Sequence, residues 1–285
     1  MQKSRKKFWI VFTSIIASLV LVGLVCGLVT RVKTVTVEFR ARASAGYTML
    51  EDGVLDKVAK AGEFDTKKSL LFMNFEENIA KIERSNPYIK VEQVVRHFPN
   101  ILKVYVSERI PRYRVADKDD SNKWYILDVD FKVIDVVIGG EAAVKEQNYG
   151  RNSSFYDATI KIESEDLAIS TYVGDFVSNN ELKTQLNAIS SGMIVALGDI
   201  KLAKSVDIVG GKFIITMKNS GINNDDGCQI ELEGTDDLAM KAKAGALAYA
   251  NANDSDASVD LSGKIITISK DGGTYVGLMR DKETA

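Results

Sequence analysis

Residues Phe8 to Val29 read FWIVFTSIIASLVLVGLVCGLV, 22 uncharged and mostly apolar residues, and no other feature restricts the possible folds of the chain so strongly. As a helix rising ~1.5 Å per residue the run would reach about 33 Å, enough to cross the hydrocarbon core of a bilayer. A cleaved signal peptide usually has an apolar region of ~7 to 15 residues with small residues close behind it. Here the small triplet Ala43-Ser44-Ala45 lies well beyond the run, and Val25 is too large for the position before Cys26 in a lipoprotein cleavage box. The run is therefore expected to be an uncleaved anchor. Lys3, Arg5, Lys6 and Lys7 precede it without an acid, which places residues 1–7 in the cytoplasm and everything after Arg31 outside the membrane, as a single-pass type II protein. Gly23 and Gly27 form a small-xxx-small pair that could seat another helix.

The remaining chain is long enough for two domains with ordinary cores, and its 45% hydrophobic content excludes a broadly disordered protein. A net charge of -2 for the whole chain becomes about -6 once the basic N-terminal residues are set aside. Such an acidic exported part argues against nucleic acid as a partner. It also contains a single cysteine, Cys228, so an internal disulfide cannot stabilise it.

After the anchor, Val35, Val37 and Phe39 alternate with Thr36 and Glu38, as on a half-buried strand. Thr48 and Glu51 have capping-box spacing ahead of Leu50, Val54, Val58 and Ala61, which predicts a first helix. A second helix is expected from near Asn74, with Phe75, Ile79 and Ile82 on one stripe and Pro87 marking its end. Two further strands, Tyr88 to Arg96 and Ile101 to Arg109, flank a Phe98-Pro99-Asn100 turn, with Leu102, Val104 and Val106 on the inner face. The order strand, helix, helix, strand, strand would lay two helices on one face of a three-stranded sheet.

The residues within this order are more distinctive than the order. Asn86-Pro87-Tyr88-Ile89-Lys90-Val91, then Val94 to Leu102 (VVRHFPNIL), then Val104-Tyr105-Val106-Ser107-Glu108-Arg109-Ile110-Pro111 resemble the POTRA domain of the bacterial division proteins of the FtsQ/DivIB family, where this unit follows a single membrane helix. The resemblance continues through Trp124 to Asp128 and Val133-Ile134, similar to the family's first hairpin after that domain, although Phe131 stands where the family usually has glycine. A helix carrying Leu182, Leu186, Ile189, Met193 and Leu197 is expected next, then short strands at Val206–Val209, Phe213–Met217 and Gln229–Leu232. Gln229 to Gly234, a helix from Asp236 and the segment Ser258-Val259-Asp260-Leu261 resemble the end of the family's β-domain.

Catalytic alternatives find little support. The only Ser-x-x-Lys is Ser4 to Lys7, on the cytoplasmic side, and Lys-Thr-Gly is absent, so the transpeptidase pattern fails. Cys228 would need a base, and His97, the one histidine, sits in a turn of the other expected domain. Those two residues also fall short of a zinc ligand set. The acidic pairs Asp119-Asp120, Asp225-Asp226 and Asp236-Asp237 read as turn formers and caps rather than a glycosidase pair, and Gly139-Gly140 and Gly210-Gly211 as turns rather than phosphate loops. Arg96, Arg109, Tyr88, Phe98 and Tyr105 are read as packing residues.

The expected fold is α+β: a transmembrane helix at 8–30, a POTRA domain (β-α-α-β-β) at 31–110, a mixed, mostly antiparallel β-domain with two helices at 111–270, and a flexible tail at 271–285. The resemblance implies a non-enzymatic scaffold of the division complex at the septum, with no cofactor, metal or small-molecule substrate. Its implied partners are FtsL-like and FtsB/DivIC-like single-pass division proteins. In that family the last strand of the β-domain receives the partner at an open sheet edge. Here it is expected at Lys264, Ile265, Ile266, Thr267, Ile268 and Ser269; the other reading of that segment is an ordinary terminal strand covered by the 271–285 tail, with Tyr275 and Val276 pairing back on it. The alternative is an exported wall-associated enzyme or sensor with the same anchor.

Overall fold

A computed structural model of the chain describes residues 2–43, 48–139, 159–164, 167, 170–198, 202–218, 227–254, 261–271 and 273–282. The chain divides into two compact units, with the division between Arg109 and Ile110.

The first unit opens with helix α1 (Gln2–Val29). Its stretch Val11–Val29 has a mean hydropathy of 2.5 and buries nothing against the protein, as a helix solvated by lipid requires. Behind it a three-stranded sheet has the order β1-β3-β2, formed by β1 (Thr34–Ala41), β2 (Ile89–His97) and β3 (Ile101–Glu108). β1 runs parallel to the central β3, and β2 runs antiparallel to it. Helices α2 (Val54–Ala61) and α3 (Glu76–Ser85) cover one face, with a short 3-10 turn (Leu70–Phe72) between them. Alternation on β3 puts Leu102, Val104 and Val106 fully inside, against Val54, Val58, Leu70 and Ile82. α3 ends at Ser85 because Asn86, ahead of Pro87, has turned extended at φ -145°.

The expected capping box does not form. α2 starts later, from Gly53 at φ 75°, and the Thr48 hydroxyl is occupied by Glu108. That buried carboxylate, at the end of β3, accepts hydrogen bonds from Thr48 Oγ1 (2.9 Å), the Met49 amide (2.6 Å) and the Ala43 amide (3.0 Å). It thus ties both flanks of the loop after β1 to the sheet. We predict that Glu108→Ala, which leaves three donors without their acceptor, costs about 2–4 kcal/mol. Hydrogen exchange at the Met49 and Ala43 amides should accelerate; unchanged protection there would refute the role. Beside it, Arg109 donates to Glu83 (3.3 Å), whose other oxygen accepts from the Val91 amide (3.0 Å). Arg96 donates to the Met73 carbonyl and stacks over Phe75. Both arginines have packing roles, as read; Phe98, by contrast, is 58% exposed.

The second unit is a nine-stranded sheet in the order β12-β11-β10-β9-β8-β7-β4-β5-β6. Its strands are β4 (Tyr113–Ala116), β5 (Lys123–Leu127), β6 (Val133–Ile138), β7 (Ile160–Ser164), β8 (Ala203–Val209), β9 (Lys212–Met217), β10 (Gln229–Glu233), β11 (Lys264–Asp271) and β12 (Thr274–Asp281). Most pairs are antiparallel; β4–β7, β7–β8 and β10–β11 are parallel. Helices α4 (Asn180–Leu197) and α5 (Leu238–Asp254) supply the core face, with Leu182, Leu186, Ile189 and Met193 buried together with Phe213, Ile230, Ile266 and Ile268. The two helices approach closely, since a Cβ at Gly192 would lie 2.1 Å from the Ala239 carbonyl oxygen.

The Asp128–Lys132 turn shows how the chain accommodates phenylalanine in place of glycine. Phe131 adopts φ 60°, a left-handed conformation that costs a bulky residue on the order of 1 kcal/mol. Its ring is fully buried edge-on to Tyr113 at 5.5 Å, and Asp128 accepts the amides of Asp130 and Lys132. Burial of a large aromatic offsets the backbone strain. Gly140, Asp225-Asp226 and Ser258-Val259-Asp260, singled out in the sequence, lie outside the described residues.

Candidate functional site

Lys264 to Ser269 form a strand as expected, but not an edge. Every residue of β11 pairs with β12, from Lys264 opposite Asp281 to Asp271 opposite Thr274, while Gln229 to Leu232 of β10 pair along its other side. Ile265–Ile268 are therefore paired on both sides, and Lys264 and Ser269 on the β12 side. The supposed mobile tail is the sheet's outer strand. The reason is packing: Tyr275 and Gly277 lie on the face under α5, where a Cβ at Gly277 would sit 3.1 Å from Ala248 Cβ. Tyr275 also donates to Asp237 at the start of that helix (2.6 Å).

β12 has a regular edge. The Lys282 amide donates to the Gly263 carbonyl (2.7 Å), which sets the ladder's phase. By alternation, Thr274, Val276, Leu278 and Arg280 exchange hydrogen bonds with β11, so Tyr275, Gly277, Met279 and Asp281 direct their backbone donors and acceptors outward. On the face away from α5, Val276 and Leu278 are 47% and 67% exposed. Glu231 of β10 accepts there from Thr267 (3.1 Å) and Arg280 (3.0 Å), a polar row that holds the last three strands in register. At the opposite end of the sheet, β6 is covered at its start, where the Val133 amide donates to Asp175 and the Gly174 amide to Val133.

Groups with shifted acidity away from the β12 edge have structural partners. The Tyr125 hydroxyl (2.5 Å), the Asp119 amide and Lys123 hold the Asp117 carboxyl far below the usual carboxylate range. Burial pushes the Cys228 thiol up to about 11, which leaves it protonated and unreactive at neutral pH. Burial likewise lifts the Tyr113 phenol to about 12, hydrogen-bonded to Asn187 and Ser190. No group of three or more His, Cys, Asp or Glu side chains converges as a metal site among the described residues.

Asp207, on β8 beside Glu163 of β7, is raised from 3.8 to about 6, first by burial and then by the neighbouring carboxylate. An acid whose folded pKa is raised favours the native state below 3.8 and loses that contribution as pH climbs through about 6. Asp207→Asn is therefore expected to stabilise the second unit by roughly 1 kcal/mol above pH 6, a figure discounted for its half-exposed position. That gain should shrink as the pH falls toward 4. Thermal melts across this range would show a pH-independent difference if the reading is wrong.

Among known proteins, residues 55–109 match the family model described as POTRA domain, FtsQ-type. No curated protein matches the chain. The match covers α2 to the end of β3, and the apolar α1 stands ahead of it.

Proposed function

We infer from the FtsQ-type POTRA domain behind an apolar N-terminal helix, which makes this an FtsQ/DivIB-like, division-related membrane protein, that the chain is a non-enzymatic scaffold of the division complex. In this reading residues 1–7 stay in the cytoplasm, 8–30 span the membrane, and 31–110 and the β-domain beyond work outside it at the septum. The β-domain extends past 270, through β12. The observation that carries the docking role is that edge: four outward-facing residues on a strand whose other side is fully paired.

An extended segment of an FtsL-like or FtsB/DivIC-like single-pass partner would add there as a tenth strand, with main-chain hydrogen bonds for affinity and the exposed Val276 and Leu278 side chains for selectivity. This moves the proposed site from Lys264–Ser269 to the strand that covers them. The test is a pull-down of the full chain, solubilised in detergent, against the exported segments of such partners. Saturable binding lost in an edge-strand variant supports the reading. Wall-cleaving or cross-linking activity of the purified chain would favour the wall-enzyme alternative instead.

A further inference from the structure

The chain leaves α1 at Val29 and is gripped at once by the domain that follows. The Thr30 carbonyl accepts the Leu70 amide (2.8 Å), and the Thr30 and Ser69 hydroxyls share a hydrogen bond (2.6 Å). The Val32 amide donates to Lys68 (3.3 Å), and the Lys33 amide to the Asn100 carbonyl (2.8 Å). Thr30 and Val32 are buried, so the junction is a packed joint rather than a free linker. The 3-10 turn and the β2–β3 turn thereby lie at the level where the apolar span ends.

Both turns point large apolar side chains into solvent at this level. Phe72 is 85% exposed, Leu71 45% and Phe98 58%. Phe72 is two residues beyond Leu70, a rise of about 4 Å in a 3-10 turn. Cations rim one side of the patch: Arg31 and Lys33 follow the helix, and Lys67 and Lys68 precede the turn; on the other side of Phe72, Glu63 and Glu77 are paired with Lys81, beside Asp65 and Glu76. No salt bridge engages Arg31, Lys33, Lys67 or Lys68 among the described residues.

We propose that this end of the POTRA domain is a lipid-binding surface, with Phe72, Leu71 and Phe98 inserted at the acyl–headgroup boundary and the four cations on anionic headgroups. Apolar side chains with a basic rim are what such a boundary accommodates, and here the surface continues directly from the spanning helix. The contact would fix the tilt of the domain over the bilayer. The proposal rests on α1 being a membrane anchor.

The test uses the full chain reconstituted in phosphatidylglycerol-containing vesicles with bromine-labelled acyl chains, and two single-tryptophan versions. One keeps Trp9 in α1 with Trp124→Phe; the other combines Phe72→Trp with Trp9→Phe and Trp124→Phe. Quenching of both tryptophans, with a blue-shifted emission from position 72, is the expected result. Lys67→Glu with Lys68→Glu, or neutral phosphatidylcholine vesicles, should reduce quenching at position 72 by about half while leaving Trp9 unchanged. Quenched Trp9 with a solvent-like, unquenched position 72 would overturn the lipid contact and leave the anchor standing. An unquenched Trp9 would overturn both. A blue shift at position 72 that requires added partner segments would assign the patch to protein and overturn the proposal.

Discussion

Met279→Pro should abolish partner binding while leaving the second unit folded. Position 279 directs its N–H away from β11, so proline there removes an outward donor without breaking a bond of the β11–β12 ladder. A partner strand loses the hydrogen bond to that N–H and meets the pyrrolidine ring in its place, and we expect affinity to fall by at least about tenfold, or ~1.4 kcal/mol. Met279→Ala keeps the backbone donor and should bind normally. Leu278→Pro deletes an inward donor and should lower the melting temperature as well as binding. Equilibrium titration with an exported partner segment, alongside a melt, separates the three. Full-strength binding by a folded Met279→Pro chain would remove β12 as the docking edge.

Gly192→Leu should sharply lower the stability of the second unit. Glycine at this position lets α4 and α5 touch backbone to backbone: any Cβ would meet the Ala239 carbonyl oxygen at 2.1 Å and the Lys243 nitrogen at 3.0 Å. Neither is the movable end of a side chain, so the helices must separate. Overpacking of a closed core costs typically 1–3 kcal/mol, and forced displacement of a helix reaches or exceeds the upper end, at about 3 kcal/mol or more. The damage should spread to β12, because α5 seats Gly277 and Tyr275. Denaturant unfolding followed by the fluorescence of Trp124, which belongs to this unit, would show the midpoint drop; an unchanged midpoint would mean that the helices are not in contact at Gly192. Gly192→Ala should show a smaller drop of the same kind.

Much of the fold was legible because its signals are local. Alternation on Ile101 to Glu108, helical spacing from Leu182 to Met193 and the Asn86-Pro87 stop each depend on residues a few positions apart, and each element lies where that spacing puts it. The capping box failed for a non-local reason: the Thr48 hydroxyl serves a carboxylate sixty residues away in sequence. Phe98 looked like a packing residue by type, yet the turn that carries it leaves its ring outside. β12 was read mainly as a tail, with Tyr275 and Val276 pairing back on Lys264–Ser269 only as the other reading, although Asp271-Gly272-Gly273 is a hairpin signal and Tyr275, Val276, Leu278 and Met279 are strand-compatible; the short, glycine-interrupted run hid the strand.

The sequence alone was sufficient for the membrane-spanning length of α1, the element order of the POTRA domain and the strand character of Lys264–Ser269, since hydropathy and periodicity are properties of contiguous residues. Whether that strand ends the sheet could not be read there. An edge is defined by which backbone groups find no partner, and that depended on α5 offering Tyr275 and Gly277 a surface on which to pack, so that β12 closes over β11 and becomes the edge itself.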